Sequence, residues 1–187
     1  MGCPTVHDGL TTDWKAPNCQ YFKMFREAAL AIKRVDKRLL VGGPATSGCR
    51  WLESLAEFTR ATETPIDFLS THSYPNDPTF GRWEGGPGGQ AQTDTQYKAV
   101  AYAAKQARGI GLPLYMTEWS SDPGSRSPYV SAAAFSVCSP PPGACSDPAR
   151  RALLGQHDTT DTAAWIIASV ASLRHEGLKA YSYWTFR

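Results

Sequence analysis

Glu118 closes the run Leu114-Tyr-Met-Thr-Glu-Trp-Ser, where an apolar stretch with the character of a buried strand ends in a single carboxylate. A charge at that place has to be paired, hydrogen-bonded or shifted in proton affinity, because an isolated buried carboxylate is costly. Ionisable groups under such pressure gather at functional sites, so carboxylate chemistry is the stronger reading. The structural alternative is an acid bonded to the N-terminus of a neighbouring helix, which strand-to-helix loops offer readily. Further polar and aromatic residues stand at comparable places: His72 and Tyr74 end one apolar run, Trp119 follows Glu118, and Trp184 ends the last run.

The elements that must position these residues alternate along the chain. Tyr21, Phe25, Ala28, Ile32 and Val35 recur at steps of four and three, which predicts a helix from about Gln20 to Val35 with those residues on its apolar face. A short strand over Leu39 to Pro44 follows, stopped by glycines and a proline, and Trp51, Leu52, Leu55 and Phe58 mark a second helix. The same order repeats: a strand from Asp67 to His72, then a helix from Thr93 to Arg108 burying Tyr97, Val100, Ala101 and Ala104, closed by Gly109 and Gly111. After the strand holding Glu118 come a helix from about Thr159 to Arg174, with Ala163, Ile166, Ile167, Val170 and Leu173, and a strand from Ala180 to Thr185. Strands separated by crossover helices imply an α/β fold with a parallel sheet. The chemistry-bearing residues then fall at the C-terminal ends of successive strands, where parallel α/β folds build their sites.

The 187 residues are enough for one domain with a real core, expected to span 1–187 with an irregular segment over 1–19. The formal net charge is only +2, with both signs interspersed, so neither nucleic acid nor an anionic membrane is an obvious partner and a neutral or small polar ligand fits better. No apolar stretch approaches the roughly 20 residues of a membrane span, and the first residues lack the basic-then-apolar order of a signal peptide. Five cysteines leave at least one thiol unpaired within the chain. Cys138 and Cys145 flank a proline-rich loop whose ends could meet as a disulfide, with free thiols as the alternative. The spacings of Cys3, Cys19 and Cys49 fit no ligand pair, so no structural metal is expected. Two long loops, Pro75 to Gln92 and Ser120 to Gln156, are rich in Gly, Pro, Ser and Asp; Arg82, Trp83 and Glu84 in the first either reach over a ligand or fold back on the domain.

Six strings in order resemble glycoside hydrolase family 39, the β-xylosidase and α-L-iduronidase family of retaining (β/α)8-barrel enzymes. Tyr21-Phe through Ala31-Ile-Lys-Arg-Val-Asp is similar to the helix after the fourth barrel strand, and Leu40-Val-Gly-Gly-Pro-Ala-Thr to the fifth strand. Asp67-Phe-Leu-Ser-Thr-His-Ser-Tyr resembles the sixth strand and Tyr115-Met-Thr-Glu-Trp-Ser-Ser the seventh. His157-Asp-Thr followed by Ala163-Ala resembles the start of the seventh helix, and Tyr183-Trp-Thr-Phe the eighth strand. The resemblance implies a TIM-barrel type α/β fold cut to about its second half, strands 5 to 8, and the xylosidase branch is the closer of the two.

On that resemblance Glu118 would be the nucleophile, His72, Tyr74, Trp119, Trp184 and His157 would line the sugar site, the ligand would be a β-xyloside or related carbohydrate, and no cofactor would be needed. A plain strand-end histidine, a core tryptophan and an Asp158 helix cap remain the bland readings of the same positions. A retaining enzyme also needs a second carboxyl group roughly 5 Å from the nucleophile. The family's acid/base lies in an Asn-Glu-Pro string; this chain contains none, and Thr5-Val-His-Asp-Gly-Leu aligns there, placing His7 with Asp8 beside it at the acid/base position. A catalytically inactive remnant that binds sugar or a partner protein is therefore the second expectation. A full barrel needs about 250 residues, so a half-barrel would expose two strand edges and could pair with a copy of itself. A family habit of secretion and a Cys138 to Cys145 bridge lean towards an extracellular setting.

Overall fold

The computed structural model describes residues 3–4, 10–74, 90–120 and 160–183. Four helices and four strands alternate: α1 (Tyr21–Val35), β1 (Gly42–Ser47), α2 (Leu52–Ala61), β2 (Phe68–Ser73), α3 (Gln90–Ile110), β3 (Leu114–Trp119), α4 (Thr160–His175) and β4 (Ala180–Tyr183). The strands form one sheet in the order β1-β2-β3-β4, and every neighbouring pair is parallel. This is half of a (β/α)8 ring. The principal core lies between the sheet and its helices, where Leu69, Leu114, Met116 and Trp119 meet Phe22, Leu52, Leu55, Phe58, Val100, Trp165 and Leu173. Each such large apolar side chain contributes about 1.5–3 kcal/mol on leaving water.

Strand β1 begins three residues later than the apolar run Leu39 to Pro44 suggests, because pairing with β2 sets its limits: Gly42 stands beside Phe68 and Ser47 beside His72. The glycine is required there, since a Cβ on Gly42 would lie 2.4 Å from the Phe68 ring and carbonyl oxygen. Pro44 fits within the strand because β1 is an edge of the sheet among the described residues, where a missing N–H costs no ladder bond. The Tyr21 hydroxyl donates to the Pro44 carbonyl at 2.9 Å, and burial pushes that phenol up to about 12. Below the strand, Lys33 bonds the carbonyls of Lys37 and Leu39 and pairs with Asp67 at 2.8 Å, while Asp67 also takes the Val41 amide at 2.7 Å. One carboxylate thus ties the end of α1 to the starts of β1 and β2.

The helices are where expected, but three of their buried faces differ. α1 buries Phe22 and Ala29, leaving Ala28, Ile32 and Val35 exposed, because the sheet and α2 take the arc adjoining the apolar stripe. α3 buries Ala99, Val100, Ala103, Ala104 and Ala107 and exposes Tyr97; it lies between α2 and α4, and only small side chains allow that close approach. α4 buries Trp165, Ser169 and Leu173, while Ala163 and Ile167 face outwards. Gly111, at φ 82°, closes α3 by returning its amide to Ala107, whereas Gly109 is part of the helix.

The described residues before α1, 3–4 and 10–20, hold turns and bends and are anchored. A Cys3–Cys19 disulfide ties its two ends, a pairing that the sequence spacing did not suggest, and Cys49 is buried outside any disulfide, its thiol 3.5 Å from the Ala99 carbonyl oxygen. The Thr12 amide donates to Ser54 Oγ at 3.0 Å and Trp14 packs edge-on against Phe58 at 5.4 Å. Cys138, Cys145, Arg82, Trp83 and Glu84 lie outside the described residues. Among the described residues no helix is long and apolar enough to cross a membrane.

Candidate active site

Glu118 reaches the face of the sheet away from the helix layer through an irregularity in β3. Across β2 and β3 the partners run Leu69 with Leu114, Ser70 with Tyr115 and Thr71 with Met116, then jump to His72 with Glu118 and Ser73 with Trp119. The ladder between β3 and β4 shifts over the same stretch, between Met116 and Trp119. In a regular strand side chains alternate, so Glu118 would follow Leu114 and Met116 into the helix layer and Trp119 would follow Tyr115 onto the opposite face. One extra residue reverses both. Hydroxyls bridge the shifts: Thr71 Oγ1 donates to the Thr46 carbonyl at 2.7 Å and Thr117 Oγ1 to the Thr71 carbonyl at 3.3 Å. These threonines are the positions that sequence reasoning missed, and their only signal was a β-branched polar residue just before each candidate.

Three of the expected residues come together. The Tyr74 hydroxyl donates to Glu118 Oε2 at 2.6 Å, and His72 Nδ1 lies 3.3 Å from the same oxygen. Tyr74 is buried, and the His72 and Glu118 side chains keep 18% and 26% of their surface, so the carboxylate is sheltered but reachable. For Nδ1 to donate, it must carry the ring proton, which fixes the imidazole tautomer. Both contacts fall on Oε2, and Oε1 has no hydrogen-bond partner among the described residues. A carboxylate clamped through one oxygen with the other open is arranged to attack or to exchange a proton at Oε1.

Trp119 does not join them. Its ring is 2% exposed and packs against Trp165 at 5.7 Å and edge-on against Tyr183 at 5.1 Å, so the side chain expected to line the sugar site belongs to the helix-side core. The reversal of alternation at Glu118 is the reason: adjacent residues cannot both face the cleft once the irregularity is passed. His157 and Trp184 lie outside the described residues, as do His7 and Asp8. Among the described residues no group of three or more His, Cys, Asp or Glu side chains gathers where it could hold a metal ion.

With a cleft-facing carboxylate at the C-terminal end of a parallel strand in hand, comparison with known proteins decides the family: the sequence pattern described as glycosyl hydrolases family 39 matches residues 4–138. The chain belongs to that family. It is 33% identical over 175 residues to a beta-xylosidase of Caldicellulosiruptor saccharolyticus and 30% identical over 186 residues to one of Geobacillus stearothermophilus, alignments that take in 92% and 95% of this chain. The chain spans about 30% of the length of these curated relatives. Among solved structures, a monomeric beta-xylosidase from Caulobacter crescentus CB15 superposes with a TM-score of 0.62 at 28% identity, covering 92% of this chain and 30% of that one. A glucosidase from Croceicoccus marinus, at 20% identity and a TM-score of 0.55, shares the fold.

Proposed function

We propose that this chain carries the nucleophile side of a retaining glycosidase site for a β-xyloside, with Glu118 as nucleophile. The observation that carries the proposal is the clamp on Oε2 by Tyr74 and His72, which among the described residues leaves Oε1 without a hydrogen-bond partner. The relatives' name, beta-xylosidase, supports the sugar class. In this reading Oε1 attacks the anomeric carbon, the bond to the leaving oxygen breaks, and that oxygen takes a proton from a second acid roughly 5 Å away. Water then attacks the same carbon, gives its proton to that second group, and frees Glu118. Tyr74 and His72 keep the carboxylate in one rotamer throughout, so the attack starts from an oriented group.

The decisive experiment is hydrolysis of 4-nitrophenyl β-xyloside by the full chain beside Glu118→Ala. Nitrophenolate leaves without protonation, so the first step proceeds without the second acid. The expected outcome is release by the parent chain and a loss of several orders of magnitude in the variant, with azide restoring turnover as the glycosyl azide. Equal rates in both would dismiss Glu118. A second reading, a sugar-binding remnant, is favoured by one observation: no Asn-Glu-Pro string occurs in the given sequence. Xyloside binding without hydrolysis by the parent chain would establish that reading instead.

A further inference from the structure

Thr71 of β2 lies between two register shifts, and both belong to its neighbours. Ala45 of β1 is the extra residue between the partners of Ser70 and Thr71, and Thr117 of β3 is the extra residue between the partners of Thr71 and His72. Such a residue interrupts the ladder, and the carbonyls beside it need other donors. Thr71 serves both sides. Its hydroxyl donates to the Thr46 carbonyl at 2.7 Å, with the His72 carbonyl a longer acceptor at 3.3 Å, and its own carbonyl accepts from Thr117 Oγ1 at 3.3 Å. Thr46 Oγ1 in turn donates to the Arg50 carbonyl, so three threonines, one from each strand, form a row across the sheet next to the level of His72 and Glu118. Thr71 is fully buried on the face it shares with Leu69, away from bulk water. Ala45 sits at φ 55°, in the left-handed region that a residue with a Cβ keeps only where its surroundings hold it.

We propose that Thr71 is a positioning residue of the site, its hydroxyl and carbonyl holding both shifts and, through them, the directions of His72 and Glu118. The effect on rate rests on the reading of Glu118 as nucleophile; the effect on geometry does not. The path is short. The shift at Thr117 turns Glu118 to the face that His72 occupies, and the Thr117 hydroxyl bonds Thr71. His72 follows Thr71 directly in the chain, and its Nδ1 meets Glu118 Oε2 at 3.3 Å, beside the Tyr74 hydroxyl at 2.6 Å. Without the Thr71 hydroxyl the β1 shift relaxes, β2 moves with it, and the long contact between His72 and Glu118 is the first to be lost. Reaction rates respond to displacements of that size.

Thr71→Val keeps the branched shape and removes the donor, whereas Thr71→Ser keeps the donor and drops a methyl. Both are compared with the parent full chain by kcat and KM on 4-nitrophenyl β-xyloside, and by ring-nitrogen NMR of His72, assigned through His72→Gln. For Thr71→Val the expected result is a fall in kcat of about tenfold at nearly constant KM, with the His72 ring proton no longer confined to Nδ1. Thr71→Ser should keep the parent kcat and tautomer, although the lost methyl lowers its urea midpoint. Thr117→Val, at a half-buried position, removes the second bond and should move kcat and tautomer the same way by less. A folded Thr71→Val with parent kcat and parent tautomer overturns the proposal. So does a serine variant that falls as far as the valine one, since packing would then be the cause. Failure of the nucleophile reading has a different signature: Glu118→Ala keeps the parent rate, while the His72 tautomer still changes in Thr71→Val. Where the parent chain leaves the xyloside intact, the tautomer alone decides.

Discussion

In the proposed reaction the three side chains gathered at Glu118 would divide the work unequally, and substitution should separate their roles. Tyr74 donates the shorter bond to Glu118 Oε2, at 2.6 Å against 3.3 Å for His72, and a hydrogen bond to a charged group is worth about 1.5–3 kcal/mol. Tyr74→Phe keeps the ring in its buried place and removes only the hydroxyl. Xyloside hydrolysis by the full chain should then fall by roughly ten- to a hundredfold in kcat/KM, mostly through kcat, and the unfolding midpoint should fall by no more than that one bond is worth. Trp119 should behave in the opposite way. Cut back to alanine it leaves a cavity beside Trp165, and a buried tryptophan lost in this manner costs about 3–5 kcal/mol. Urea unfolding should register that loss, whereas a site-lining Trp119 would lower activity and leave stability almost intact. His72, Tyr74 and Glu118 were legible in the sequence because a polar residue ending an apolar run has few inexpensive explanations. Trp119 was misassigned because the one-residue shift that turns it away from the cleft leaves no mark in the order of amino acids.

At the scale of elements the alternation was readable throughout, since hydrophobic period and glycine stops act within a few residues. The buried faces of α1, α3 and α4 were less so, because tertiary neighbours decide which arc is covered and the sequence period marks only that some arc is apolar. The Lys33–Asp67 junction was invisible for the same reason: its partners lie far apart in the chain and meet only once α1, β1 and β2 are assembled. Burial pushes the Asp67 carboxyl up, while the Lys33 hydrogen bond, the Val41 amide and the Lys33 charge pull it down, and the net value lies below the ordinary carboxylate range. The folded chain therefore binds fewer protons at Asp67 than the unfolded chain near pH 4. Its contribution is complete above about pH 3.9 and is lost as pH falls through the lower folded value. Asp67→Asn should cost about 1–2 kcal/mol at neutral pH, and the gap between the two proteins should narrow under acid, as followed by urea melts across the pH range. Gly42→Ala tests the neighbouring junction by sterics alone: its Cβ would meet Phe68 at 2.4 Å, so the midpoint should fall at every pH without that narrowing.

At the scale of the molecule, the residues before α1 are joined to the helix layer by long-range contacts and to one another by a cross-link. The Thr12 amide donates to Ser54 Oγ and Trp14 packs on Phe58, both on α2, while Cys3 and Cys19 join positions 16 apart in the chain. A cross-link of that span removes freedom chiefly from the unfolded chain and is worth about 3 kcal/mol. Cys3→Ser with Cys19→Ser should therefore lower the thermal midpoint by about 5–10 °C, as read by calorimetry. A midpoint unmoved by the double substitution would mean that the contacts of Thr12 and Trp14 hold these residues to α2 without the cross-link.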